Sequence, residues 1–142
     1  MIRGEFEDAG ERSPASLESA YGAVLAETID RVGVETAVEE PGLDRGTVEA
    51  AANGDAAGVT VEEAAAILAL DDDRPSADAI EAEARDILLM GMSTAVLDVE
   101  ALAAGIDDAM DPKEIQQKVE GRHPMSLDEY ARLHAYIEGK KP

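Results

Sequence analysis

The 142-residue chain has 32 Asp and Glu residues against 12 Lys and Arg residues, which gives a net charge of −20 at pH 7. Hydrophobic residues make up 45% of it, enough for a packed core in one domain or two very small ones. Their periodic spacing disfavours intrinsic disorder, which such a charge balance would otherwise suggest. The absence of cysteine excludes disulfides, a thiol nucleophile and a thiolate metal site.

The sequence has neither a targeting signal nor a membrane span that we can identify. Residues 1–15 are too polar and charged for a signal peptide. The longest apolar stretch, Ile87–Leu97, is about half as long as the roughly 20 residues that a membrane span requires. We therefore expect a soluble cytoplasmic protein that does not contact a membrane.

The acidity has two competing explanations. An acidic face could bind a basic partner, or carboxylates could keep the whole protein soluble in molar salt. The acids are spread over nearly every segment, only four of the basic residues are lysines, and alanine fills many apolar positions. These features favour adaptation to a halophilic cytoplasm.

The first half of the chain predicts four helices after a flexible arm at residues 1–12. Each helix has a recognisable start or stop signal, such as a capping side chain, a proline at the first position or a terminal glycine. In chain order, the first helix lies between a start at Ser13-Pro14 and an end at Gly33, and the second covers Val34–Glu40. The third helix lies between its cap Asp44 and Gly54, and the Thr60–Glu63 capping box opens the fourth.

The second half predicts helices of the same kinds in the same order, after an acidic linker at residues 71–78 that ends at Asp78 as a helix cap. In chain order, they are Ile80–Val96, Val99–Gly105, a helix from Asp111 to Gly121, and one opened by the Ser126–Glu129 capping box that ends at Gly139. A basic tail, residues 139–142, closes the chain.

The two halves align at an offset of about 66 residues. In each, an N-cap Asp is followed by a glycine ten residues later and then by a Thr/Ser-x-x-Glu capping box. This ordered set indicates an all-α protein made of two tandem four-to-five-helix repeats, residues 13–70 and 79–138. We expect the repeats to pack into one compact unit.

The repeated unit resembles the phage-repressor (Cro-like) helix-turn-helix. In the first copy the resemblance covers residues 17–70 and rests on VETAVEEPGLDRGTVEAAANG followed by VTVEEAAAIL. Ala37 matches the small residue of the second helix, Gly42 the turn glycine and Val48 the inward residue of the third helix. The resemblance implies that the third helix of each unit could enter a DNA major groove.

The second copy matches the helix-turn-helix pattern less well. Ala103 and Ile115 fit, but the turn is longer and Gly105 is displaced. The whole chain, including DAGERSP and MDPKEIQQKVEGRHPMSLDEYARL, also resembles an uncharacterised family from halophilic archaea. That second resemblance is consistent with salt adaptation and implies no activity.

The third helix of the second copy carries the candidate binding residues. The third helix of the first copy offers a single arginine, Arg45, among acids and alanines, so it is poorly suited to recognising DNA bases. Residues 111–142 are neutral, with six acids and six bases, so the first 110 residues carry the whole charge of −20. The candidate residues for nucleic-acid or partner binding are Lys113, Gln116, Gln117, Lys118 and Arg122.

Three readings of this segment remain open. A protein partner or self-association is favoured over DNA, because a DNA-binding surface is normally positive and not neutral. DNA binding by residues 112–120 is the alternative, since Gln can pair with adenine and Lys or Arg with guanine or phosphate. A solvated helix face with a Glu114–Lys118 ion pair at i,i+4 spacing is as plausible as either.

No catalytic, metal or cofactor site is predicted. The spacing of His123 and His134 fits no zinc motif, and Asp71–Asp73 lacks the glycine and distal Glu of a calcium loop. No serine lies in a nucleophile elbow, and no glycine-rich loop could bind a phosphate. We therefore expect a non-catalytic regulatory or interaction module without a small-molecule substrate, and an enzyme is the least favoured alternative.

The run Ile87–Met92 is apolar nearly all round, which predicts a helix segment buried on every side. The favoured interpretation is that it forms the centre of the core between the two repeats. The alternative is a homodimer seam, in which Gly91 would allow close approach of two helices and the methionines would fill irregular gaps.

Salt adaptation predicts a salt-dependent fold. We expect helical circular dichroism or cooperative unfolding to be lost when KCl is lowered from molar concentration to about 0.1 M, because weaker screening leaves the carboxylates repelling one another. Full stability at the lower KCl concentration would contradict salt adaptation. It would mean that the acidic residues bind a partner.

Overall fold

The computed structural model describes residues 6–142, and within them the protein is all-α, as predicted. Eight α-helices cover most of these residues, preceded by one 3-10 turn at Ala9–Glu11. The helices are α1 (Pro14–Val32), α2 (Val34–Glu39), α3 (Arg45–Ala52), α4 (Val61–Leu68), α5 (Ala77–Ala95), α6 (Val99–Gly105), α7 (Pro112–Val119) and α8 (Leu127–Lys140).

The predicted helix starts are confirmed where a short polar side chain caps the first turn. The side chains of Ser13, Asp44 and Asp111 accept hydrogen bonds from backbone amides three residues later, at 3.1, 3.3 and 2.7 Å. Both capping boxes, at Thr60 and Ser126, also form. These contacts satisfy backbone N–H groups that a helix start leaves without partners.

Two predicted boundaries were wrong. Helix α5 starts at Ala77 because the Ser76 hydroxyl accepts a hydrogen bond from the amide of Ala79 at 3.3 Å, so Ser76 is the cap and not Asp78. Helix α8 continues through Gly139 to Lys140, which leaves only the last two residues of the predicted basic tail beyond the helix.

The predicted arm lies partly outside the described residues, which begin at Phe6. The described part packs on the helices: Ala9 is fully buried, and the Phe6 ring meets the Tyr21 ring edge-on at 4.8 Å. Gly10 approaches α8 so closely that a Cβ atom there would lie 2.8 Å from the backbone of Glu138. Residues 6–12 are therefore part of the packed structure.

The two halves share one core because each contributes helices that pack on the other. Helix α1 packs against α8, and α4 packs against α5. An antiparallel bridge joins the halves where α4 and α8 begin: the Val61 amide donates to the Met125 carbonyl, and the Leu127 amide donates to the Val59 carbonyl, each at 2.8 Å. The repeat relation between the halves stays a prediction.

The apolar run in α5 is buried on one face only, so the prediction of burial on every side was wrong. Leu88 and Gly91 are buried, and a Cβ atom on Gly91 would lie 2.6 Å from Ile137 Cγ2 of α8. Met90 is 55% exposed, and Val96, just after the helix, is 88% exposed. Within residues 6–142 no single helix is long and apolar enough to cross a membrane, and α5 and α6 would pass that test only together, across a 94° bend.

The core contains one buried histidine, His134, which forms a hydrogen bond with the buried Tyr21. His134 Nδ1 lies 2.5 Å from the Tyr21 hydroxyl, and its Nε2 faces Glu138 Oε1 at 3.7 Å. A neutral ring that carries its proton on Nε2 and accepts the tyrosine hydroxyl at Nδ1 suits both contacts. Burial lowers the pKa of His134 from 6.5 to about 3.

This depressed pKa predicts a pH-dependent stability. The unfolded chain binds a proton at His134 near pH 6.5 and the folded chain near pH 3. The contribution of the neutral His134 to the free energy of unfolding is therefore complete above pH 6.5. It is lost as the pH falls towards 3, by at most about 1.4 kcal/mol per pH unit. His134→Asn should flatten this part of a plot of unfolding free energy against pH, measured with urea, whereas His123→Asn should not. Equal slopes for all three proteins would contradict the assignment.

Candidate interaction surface

Helix α7, which carries most of the predicted binding residues, lies on the surface with one apolar face turned inward. Ile115 and Val119 are buried in the core. On the opposite side Lys113 and Gln116 are exposed, and Gln117 is half-buried. The spacing of four between the two buried residues fixes which side chains point outward.

Lys118 differs from the other predicted residues because it points inward. Its ammonium group donates to Glu114 Oε2 at 2.8 Å and to Glu129 Oε2, and its side chain is only 13% exposed. Burial by itself would lower the pKa of Lys118, but the hydrogen bonds to the two carboxylates outweigh that effect and raise it. The same Glu129 completes the capping box of α8, so Lys118 fastens α7 to the start of α8.

The exposed side of α7 continues onto the following loop at Arg122. The side chain of Arg122 is 70% exposed, and its Nη2 lies 3.3 Å from Glu120 Oε2. Gln116 Nε2 donates to the other oxygen of Glu120, also at 3.3 Å. We call the three exposed residues Lys113, Gln116 and Arg122, together with the half-buried Gln117, the α7 face.

Lys113 is the most available cation of this surface. It makes no ion pair or hydrogen bond with the residues that the structure describes, although it is exposed. By contrast, Arg45, in the first turn of α3, donates to both oxygens of Glu35, at 2.8 and 2.9 Å. The α7 face thus offers a positive charge that no residue from Phe6 onwards pairs with.

A cleft of about 200 Å³ lies next to the α7 face. Helices α4 and α5 form one side and the α7–α8 loop forms the other. Its polar and charged lining residues are Glu62, Glu81, Arg85, Lys118, Arg122 and His123, and its apolar floor includes Leu88, Met125 and Tyr130. Two predicted residues, Lys118 and Arg122, therefore reach the cleft, whereas Lys113 and Gln116 do not line it.

The sequence did not predict that α5 contributes residues to this cleft. Glu81 and Arg85 stand at the i,i+4 spacing of an intrahelical ion pair, and they form one at 2.7 Å. That spacing predicts the pair but not its position beside α7, which depends on how the two halves pack. In the described part of the chain, no group of three or more His, Asp or Glu residues could hold a metal ion.

The fold and this surface define an all-helical protein with a small charged cleft where its two halves meet. The chain belongs to a family of unknown function, DUF5791, whose pattern matches residues 17–140. No curated protein and no solved structure matches the chain.

The two lysines of α7 should respond differently to substitution. Lys118→Met would leave two carboxylates without their shared cation, so we expect the free energy of unfolding to fall by about 2 kcal/mol. Lys113→Met should change it by less than about 0.5 kcal/mol, because Lys113 is exposed and has no ion pair or hydrogen bond with the described residues. Chemical denaturation followed by circular dichroism measures both, and equal effects of the two substitutions would contradict the structural role of Lys118.

Proposed function

We propose that this protein is a non-catalytic interaction module that binds a protein partner through the α7 face. The observation that carries the proposal is the exposure of two cations, Lys113 at the start of α7 and Arg122 in the loop after it, in a chain with a net charge of −20. Attraction between charges of opposite sign would orient an acidic segment of a partner on this surface.

The composition of the α7 face favours a protein over DNA. Its two accessible cations, Lys113 and Arg122, are accompanied by Glu120, whose carboxylate contacts both Arg122 and Gln116. A DNA-binding surface usually neutralises several phosphates and is positive over a wide area. A protein partner needs only one or two carboxylates opposite Lys113 and Arg122.

The alternative function is a DNA-binding transcriptional regulator that uses residues 112–120. It is supported by the exposure of Lys113 and Gln116, because a recognition helix must offer such side chains to the major groove. The capped helices at equivalent places in both halves are consistent with two diverged helix-turn-helix repeats. At roughly 1 M salt the Debye length is about 3 Å, so distant acids would hardly repel a phosphate.

The setting that we propose is a halophilic cytoplasm. In molar salt, the favourable release of counterions from DNA is mostly lost, and direct contacts must supply the affinity. Short-range contacts of Lys113, Gln116, Gln117 and Arg122 would then decide binding to either class of partner. Self-association through the same face is less favoured, since both copies would present Lys113 and Arg122 to each other.

The test compares two double variants with the same change in charge. Tagged wild-type protein, Lys113→Ala/Arg122→Ala and the control Arg31→Ala/Arg45→Ala are recovered from cells of the source organism at their own salt concentration. We expect a stoichiometric protein partner with the wild type and the control, and a loss of at least about tenfold with Lys113→Ala/Arg122→Ala. Circular dichroism establishes that all three proteins are folded.

The outcomes separate the alternatives. A partner that Lys113→Ala/Arg122→Ala retains would refute the α7 face as the binding surface. Recovery of nucleic acid instead, lost with the same variant, would assign the face to DNA. In that case Gln116→Ala/Gln117→Ala should reduce the preference for one sequence more than the affinity for unrelated DNA, because glutamines read base edges.

A further inference from the structure

Arg85, which lies in the cleft between α5 and the α7–α8 loop, has more hydrogen-bond donors than partners. Its side chain is 30% exposed, and its Nη1 donates to Glu81 Oε1 at 2.7 Å. Among residues 6–142 its guanidinium makes no other hydrogen bond or ion pair. A guanidinium carries five N–H donors in a rigid fork, so most of them remain for a ligand or for water.

The opposite wall of the cleft is built closely around this arginine. Gly121 has a φ angle of +79°, and a Cβ atom there would lie 3.0 Å from Arg85 Nε and 3.1 Å from its Cζ. Glycine thus permits both the left-handed backbone and the close approach of the α7–α8 loop to the guanidinium. Contact with the loop restricts the movement of Arg85, which lowers the entropy lost when it binds a ligand.

The other polar and charged groups of the cleft set the class of ligand. Arg122 and His123 lie on the same loop and line the cleft, whereas the Lys118 ammonium is already held by Glu114 and Glu129. Glu62 and Glu81 also line it and would repel a dianion such as phosphate more strongly than a monoanion. The volume of about 200 Å³ is below the roughly 300 Å³ of typical drug-sized pockets, so it suits a group of few atoms.

We propose that this cleft binds a carboxylate group, with Arg85 as the main ligand-binding residue and Arg122 and His123 beside it. The planar fork of a guanidinium matches the two oxygens of a carboxylate. The carboxylate belongs either to a free short-chain acid or to an Asp or Glu side chain of the protein bound on the α7 face. Only the second source rests on the proposed function.

The direct test titrates the full-length protein with potassium acetate and potassium propionate, using KCl at the same ionic strength as the reference. Amide resonances of Gly121 and His123 should shift in a saturable way in NMR spectra. Arg85→Met should weaken binding by about tenfold. Arg45→Met, which removes the arginine of another Arg–Glu pair, should leave it unchanged. Glu81→Gln should strengthen binding several-fold, because it removes the carboxylate that competes for Arg85.

The titration can overturn the proposal whatever the partner proves to be. Shifts that chloride reproduces, or affinities that neither Arg85→Met nor Glu81→Gln changes by more than twofold, would refute the carboxylate site. If Arg85→Met does not fold, the Glu81→Gln comparison decides by itself.

The partner recovered through the α7 face distinguishes the two sources of the carboxylate. Loss of that partner with Arg85→Met assigns the carboxylate to the partner, and its retention assigns the cleft to a free acid. Failure to recover any partner would affect the proposed function and leave the acetate result standing.

Discussion

The pair of hydrogen bonds between residues 59–61 and 125–127 is the constraint on which the rest of the structure depends. It joins the start of α4 to the start of α8 with two 2.8 Å bonds. Both helices are opened by capping boxes at this point, so the bridge fixes two helix ends against each other. Val61 and Met125, which take part in it, also line the cleft. The surface that we propose for binding is therefore a direct product of how the halves meet.

The capping box of α8 connects this junction to the charged surface. Glu129 accepts a hydrogen bond from the Ser126 amide and also from the Lys118 ammonium of α7. One carboxylate thus orients both α8 and α7. Because Lys118 is committed to this structural role, the cations that the α7 face and the cleft offer to a partner are those of Lys113, Arg122 and Arg85.

The charge distribution explains why this corner differs from the remaining surface. Most of the arginines elsewhere lie beside carboxylates, as Arg12 does with Asp8 and Arg31 with Glu27. Exposed pairs of this kind contribute little to stability, but they neutralise the cation locally. In residues 111–142 the acids and bases balance, Lys113 has no ion-pair partner among the described residues, and the side chain of Arg122 is 70% exposed although it lies near Glu120. The exposure of these two cations, and not the total charge, supports an interaction surface.

The sequence by itself determined the helices, because their signals act over three or four residues. Ser13, Asp44, Asp111 and the two capping boxes bond to amides within the same turn, and i,i+4 pairs such as Glu114–Lys118 follow from helical spacing. The neutral charge of residues 111–142 also pointed to that segment as a candidate site, which stays a prediction.

Only the tertiary structure decided which of those side chains remain available. Lys118 turns inward because Glu129, eleven residues away, starts a helix next to it. Arg85 reaches the cleft because α5 packs beside Gly121, and His134 meets Tyr21 across 113 residues. Such contacts join residues that no local spacing relates. They depend on how the apolar faces of the helices pack together. Hydrophobic burial drives that packing, but it does not specify which positions of the chain will meet.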